Sequence, residues 1–215
     1  MKLRIPHRSI LVAAVAAATL SACAPLVVGG AVGTALVASD RRTSGAQLED
    51  QGIELRSASR LRDQMGTRAR ISVTSYNRRV LLTGEVANAR DKALAEEVVR
   101  QVDNVQGLVN ELDITASPSL GQQANDTLIT GKVKAAFIDN KDVPASTIKV
   151  VTERGSVYLL GRVTQREADL ATEVTRNVSG VKRVVRVLEI ITEDELKRLQ
   201  PGTGPAPVET RSTAG

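Results

Sequence analysis

From residue 47 onward the chain repeats itself. Ile71, Val73, Val80, Leu82, Gly84 and Val86 recur as Ile148, Val150, Val157, Leu159, Gly161 and Val163, at a constant offset of 77 residues. Val98, Val102, Val105, Leu108, Val109, Leu112 and Ile114 then match Val174, Val178, Val181, Val184, Val185, Leu188 and Ile190 at an offset of 76. Solenoid units run to roughly 20–50 residues, so this period is too long for one. Two tandem domains are expected instead, over residues 47–115 and 124–193. A linker at 116–123, containing Ser117, Pro118, Ser119 and Gly121, joins them.

Each copy carries the same succession of patterns. A helical stretch opens it, from Ile53 to about Asp63 and from Thr127 to about Asp139, and Asp126 is placed to cap the second. β-branched residues at Ile71–Thr74 and Ile148–Thr152 predict strands. Polar turns at Asn77-Arg78 and Arg154-Gly155 lead into second strands at Val80–Val86 and Val157–Val163. Gly84 and Gly161 fall inside these strands at one repeat position, which marks a bulge or the close approach of a packed helix. A second helix covers about Ala89–Val102 and Gln165–Val178. Just past it stand Asn104 and Gly180, which tolerate the left-handed conformation that stops a helix. A last strand, about 108–115 and 184–192, closes each unit. The order α-β-β-α-β gives an α+β fold: two domains, each a small mixed three-stranded sheet with two helices on one face.

The residues before the repeats have a different character. Lys2, Arg4, His7 and Arg8 precede an apolar run from Ile10 to Leu20, the pattern of a secretory signal over residues 1–22. The run ends Leu20-Ser21-Ala22-Cys23, which resembles the lipobox of bacterial lipoproteins. That resemblance implies cleavage before Cys23 and acyl chains on it. Ala24, rather than Asp, follows the cysteine, which in Gram-negative lipoproteins implies sorting to the outer membrane, with the body facing the periplasm. Residues 24–38 stay apolar and glycine-rich but are too short to span a bilayer alone; together with the signal, Ile10–Ala38 is long enough for an uncleaved anchor, the alternative to cleavage. With Asp40–Gly45 they read as a lipidated N-terminus and flexible linker over residues 23–46. The tail after residue 194 reads as the end of a short helix and then a Pro- and Gly-rich segment without a core pattern.

Composition removes several function classes. Cys23 is the single cysteine and His7 the single histidine, so neither an internal disulfide nor a Cys/His metal cluster is expected. Cleavage would remove His7 and three of the 29 basic residues, leaving 26 against 24 acidic ones, a net charge of +2. The high isoelectric point therefore carries no argument for a polyanion partner. Tyr76, Tyr158 and Phe137 are the only aromatics, too few for a base-stacking nucleic-acid surface. No enzyme activity, cofactor or metal is expected. Glu96-Glu97 reads as a solvated helix face, Lys182-Arg183 and Arg186 as a solvated basic edge, and Tyr158 as sheet packing.

The α-β-β-α-β order, the strand pattern Val80–Val86 and Val157–Val163, and the segments Asn125–Val133 and Val178–Val184 resemble the BON domain. Two copies behind a lipobox are similar to the dual-BON outer-membrane lipoproteins. The resemblance implies binding of anionic phospholipid through the second domain and a role in envelope integrity.

The second opening helix is where such a site is expected. Ile129, Val133, Ala136 and Phe137 form one core-facing stripe. Leu128, Gly131, Ala135 and Ile138 form another, flanked by Lys132 and Lys134. An apolar stripe bordered by lysines suits an anionic membrane surface. In the first copy the counterparts of Leu128, Ala135 and Ile138 are Gly52, Ser59 and Arg62, so that face is expected to be polar. The alternatives are that Leu128 and Ile138 pack against the first domain or the linker, or that the exposed helix or interdomain surface binds an envelope protein.

Overall fold

The computed structural model describes residues 40–115 and 120–199. The signal stretch, Cys23, residues 24–38 and the tail from residue 200 lie outside the described residues. The first repeat contains α1 (Ser44–Met65), β1 (Arg70–Tyr76), β2 (Arg79–Val86), α2 (Ala89–Arg100), β3 (Gly107–Asn110) and β4 (Asp113–Ile114). The second contains α3 (Leu120–Asp139), β5 (Ile148–Glu153), β6 (Ser156–Val163), α4 (Gln165–Arg176) and β7 (Arg183–Ile190), followed by α5 (Glu193–Leu199).

In each repeat an antiparallel hairpin is joined by a parallel third strand. β1 pairs with β2, and β2 with β3 and β4; β5 pairs with β6, and β6 with β7. β3 and β4 are one strand interrupted at Glu111 and Leu112, where Leu112 turns into the core with 1% exposure. A helix connects the second strand to its parallel neighbour, the crossover that a parallel pair requires.

Both opening helices start earlier than their apolar stripes suggest. Thr43 caps α1 by accepting the Ala46 N–H at 3.1 Å, well ahead of Ile53. α3 begins at Leu120, so Asp126 is not its N-cap. Asp126 lies in the second turn, 5% exposed, and its carboxylate accepts the N–H groups of Arg154 and Gly155, both at 2.8 Å. Asp50 does the same for Asn77 and Arg78 at 2.7 and 2.8 Å. Each opening helix therefore holds its own hairpin turn through one buried carboxylate. The turns need it: Asn77, Arg78 and Arg154 all have positive φ.

Gly84 and Gly161 sit opposite Ile71 and Ile148 in unbroken registers. A Cβ on Gly84 would stand 2.0 Å from the Arg70 carbonyl oxygen, and one on Gly161 2.7 Å from that of Thr147. The close approach comes from the neighbouring strand's backbone, rather than from a bulge or a packed helix. Gly180 has φ of 96° and Asn104 of 69°, each just past its helix.

Each repeat has its own core between helices and sheet. Ile53, Leu61, Val80, Leu82, Val86, Ala95 and Val99 fill the first. Ile129, Val133, Phe137, Val157, Leu159, Val163, Ala168 and Ala171 fill the second. The other faces of the two sheets meet in a third cluster of Tyr76, Leu81, Tyr158, Leu160 and Val187. Residues of β2 and β6 thus alternate between their own core and the junction, and the layers run helices, sheet, sheet, helices. Full burial of each Val, Leu, Ile or Phe side chain among them contributes about 1.5–3 kcal/mol.

Polar contacts frame this junction. Arg70 bonds Glu85 at 2.7 Å in its own repeat and Glu153 at 2.8 Å in the other. Tyr76 donates its hydroxyl to the Thr147 carbonyl at 3.1 Å, and Asn77 its side-chain amide to Glu189 at 2.6 Å. Arg183 is exposed, as expected for a solvated basic edge, and it also donates to Glu111 and lies over the Tyr158 ring. Burial pushes the Tyr76 and Tyr158 hydroxyls up to about 12.

Candidate membrane-facing site

α3 presents two opposed faces. Ile129, Val133 and Phe137 are at most 1% exposed and close the core of the second repeat. At 3.6 residues per turn, Leu128, Gly131, Ala135 and Ile138 project on the opposite side, with Lys132 and Lys134 on its two borders. All six are exposed, Leu128 at 64% and Ile138 at 71%. Neither large side chain is packed against the first repeat, because the sheets, and not α3, form the junction.

Lys132 donates to the Ser179 hydroxyl at 3.0 Å, which ties one border of the face to the loop after α4. Gly180 in that loop lies beneath α3: a Cβ there would stand 3.1 Å from Cγ1 of Ile129. Thr130 donates to Thr152 at 2.8 Å on the side facing the hairpin. Core contacts, the Asp126 clasp and these bonds fix the rotation of α3 about its own axis, and with it the direction of Leu128 and Ile138.

The corresponding face of the first repeat is not wholly polar. Gly52, Ser59 and Arg62 stand where expected, yet Leu48 and Leu55 lie on the same side of α1, 67% and 73% exposed. Their spacing of seven residues was a legible signal, hidden because comparison position by position sets Leu55 against Gly131 and Leu48 against Ala124. The repeats still differ in charge. The positions of Lys132 and Lys134 hold Arg56, which is paired with Glu49 at 2.7 Å, and Ala58.

A second feature went unread in the sequence. Arg41 and Arg42, assigned to a flexible linker, are held by side-chain contacts. Arg41 makes two 2.7 Å bonds to the Glu167 carboxylate and a 2.9 Å bond to the Arg162 carbonyl, all in the second repeat. Arg42 bonds Asp50 at 2.8 Å and stacks 4.0 Å from the Tyr76 ring centre, both in the first. Glu167 also closes the capping box of α4 with Thr164. Burial works to raise its carboxyl, but Arg41 and the Thr164 N–H outweigh that and leave it below the usual range.

Among the described residues, no group of three or more His, Cys, Asp or Glu side chains could hold a metal ion. No described helix is long and apolar enough to cross a membrane.

Comparison with known proteins agrees with the repeat. The BON domain family matches residues 50–116 and 125–192. The chain is 35% identical over 174 residues to the outer membrane lipoprotein DolP of Haemophilus influenzae, covering 80% of this chain and 90% of that protein. It is 34% identical over 154 residues to a 21 kDa hemolysin of Actinobacillus pleuropneumoniae, covering 71% of this chain and 79% of the relative. It is 32% identical over 117 residues to osmotically-inducible protein Y of Escherichia coli, covering 53% and 58%. With both repeats matched and a lipoprotein aligned along most of its length, the chain belongs to the BON-domain family, as a DolP-like outer-membrane lipoprotein.

Proposed function

We propose that the protein is acylated at Cys23 and that its second repeat engages anionic phospholipid through the outer face of α3, in support of envelope integrity. The observation that carries this reading is the pair Leu128 and Ile138, exposed at 64% and 71% on a helix whose opposite face is closed into a core. Leaving such side chains in water is unfavourable, and the headgroup boundary of a bilayer accepts them at about 0.8 kcal/mol per buried CH₂. Lys132 and Lys134 border the face, and each lysine near an anionic leaflet contributes about 1 kcal/mol. The sum is modest, which suits a protein already held at the membrane by acyl chains. The reading is non-enzymatic: the site offers insertion and charge, and no nucleophile, base or metal set.

Leu48 and Leu55 favour a second reading, in which a periplasmic protein docks on an exposed helix. The interdomain surface is no candidate for such docking, since the two sheets bury it against each other. Co-sedimentation of the non-acylated Cys23→Ser protein with vesicles separates the readings. Binding to vesicles containing phosphatidylglycerol, absent with phosphatidylcholine alone and weakened by salt, is the expected result. Absence of binding to both would remove the lipid reading.

A further inference from the structure

Arg41 and Arg42 are neighbours in sequence, yet each is bonded to a different repeat. Arg42 belongs to the first through Asp50 and the Tyr76 ring, and Arg41 to the second through Glu167 and the Arg162 carbonyl. The side chains of the two arginines are only 12% and 14% exposed, so these are built contacts and not surface pairs. Asp40, just upstream, accepts from Arg42 at 2.7 Å and from the Tyr76 hydroxyl at 3.4 Å. The chain segment that arrives from Cys23 therefore enters the folded body at the junction of the repeats.

The entry point has a definite place relative to α3. Tyr76 also bonds the carbonyl of Thr147, the last residue of the short turn Ala145–Thr147 that links α3 to β5. Arg162 and Glu167 flank the end of β6 and the start of α4. The tether thus joins the body at the junction, at the end of the second repeat where β5 begins and β6 ends. From Cys23 to Asp40 there are 17 residue steps (40 − 23). That length spans at most about 60 Å, so the body of an acylated chain stays close to its own bilayer.

We propose that Arg41 is a positioning residue: its clasp on Glu167 fixes the tether's exit at the junction and so turns the Leu128–Ile138 face toward the membrane that holds the anchor. This rests on the lipid reading above. Without the clasp the segment before Arg42, which Asp50 and the Tyr76 ring still hold, would lose its bonds to the second repeat, and the face would meet the bilayer only part of the time. A tether raises the local concentration of a second site only when its geometry permits both contacts at once, and the clasp supplies that geometry.

The test uses the acylated full chain in phosphatidylglycerol and phosphatidylcholine vesicles carrying a doxyl-labelled lipid. A fluorophore is placed on Asp139→Cys, an exposed position beside the face. Quenching by the lipid is expected with Arg41 present and is expected to fall about twofold or more in Arg41→Glu. Arg41→Lys keeps a cation beside Glu167 and leaves the α4 capping box intact, so it is expected to retain quenching, which separates loss of the ion pair from a general loss of fold. The non-acylated forms, Cys23→Ser with either residue at 41, are expected to bind the same vesicles equally. Unchanged quenching in acylated Arg41→Glu would overturn the proposal. So would an equal loss of binding in its non-acylated form, which would place Arg41 in the site or the fold and not in the tether. If the non-acylated parent does not bind and the acylated parent is not quenched, the lipid reading itself fails and the positioning role falls with it.

Discussion

Arg70 and Glu153 meet across the boundary between the repeats at 2.8 Å, and their repeat counterparts, Thr147 and Tyr76, meet across the same boundary through a 3.1 Å hydrogen bond. The correspondence extends further. Asn77 bonds Glu189, and their counterparts Arg154 and Asp113 approach to 3.7 Å. Leu81 and Tyr158, equivalent to one another, share one apolar cluster. The two repeats are therefore packed about an approximate two-fold, like a homodimer written in a single chain, with self-complementary positions filled by different pairs.

A fragment of residues 120–199 is expected to fold, because the core of the second repeat lies within it. It is also expected to self-associate, because separation from the first repeat exposes Tyr158, Leu160 and Val187 together. Sedimentation velocity over a concentration series checks this. A fragment that melts cooperatively and stays monomeric would mean that the paired sheet face is not self-complementary.

Two buried carboxylates are expected to give opposite pH dependences. Burial raises Glu153 above 4.5 despite Arg70, so its contribution to stability is full below 4.5 and lost as pH rises through the folded value. Glu167 is held below 4.5, chiefly by Arg41 acting against burial, so its contribution is present above 4.5 and lost as pH falls through the folded value. Relative to the parent, Glu153→Gln should gain stability as pH rises, and Glu167→Gln should lose it. Urea midpoints collected between roughly pH 3 and 7 read both slopes.

The turn clasp gives a larger effect. Asp126→Ala leaves the N–H groups of Arg154 and Gly155 without their acceptor in a buried turn. A loss of about 2–4 kcal/mol is expected at about 1–3 kcal/mol per unsatisfied group, with water recovering part of it. Equilibrium urea unfolding measures the cost. A change below about 0.5 kcal/mol, the range of ordinary surface substitutions, would mean that the turn holds its shape unaided.

The element order could be read from the chain because each repeat states it independently, and agreement between copies removes the ambiguity of a short apolar run. Helix starts were less legible. Ser44–Gly52 and Leu120–Asp126 lack a continuous apolar stripe, and the start of α1 is set by the Thr43 cap. The two-sided burial of β2 and β6 was written in the runs Val80–Leu82 and Val157–Leu160, which are apolar without alternation. Nothing in the local sequence of Arg41 points to Glu167, 126 residues away, because an ion pair leaves no periodicity. At the candidate site the exposed stripe on α3 was legible from helical spacing. Its mirror on α1 was obscured because Leu48 and Leu55 occupy different registers of the same face.

Leu128→Glu and Ile138→Glu are expected to abolish binding to phosphatidylglycerol vesicles while leaving stability within about 0.5 kcal/mol of the parent, as for exposed positions without partners. Two effects combine: the apolar group no longer inserts, and a negative charge faces a negative surface. Lys132→Glu and Lys134→Glu should weaken binding, with the residual affinity less sensitive to salt, because fewer cations remain to be screened. Leu55→Glu on α1 decides whether the site is confined to the second repeat. α1 lies in the opposite outer layer of the four-layer body, so a flat vesicle surface touching α3 does not reach Leu55, and its substitution should leave co-sedimentation unchanged. Equal losses from Leu55→Glu and Leu128→Glu would mean that both helices contact lipid and that the lysine pair does not set the difference. Normal binding by Leu128→Glu would take the site off α3 altogether. Unfolding by it would contradict the 64% exposure of that side chain.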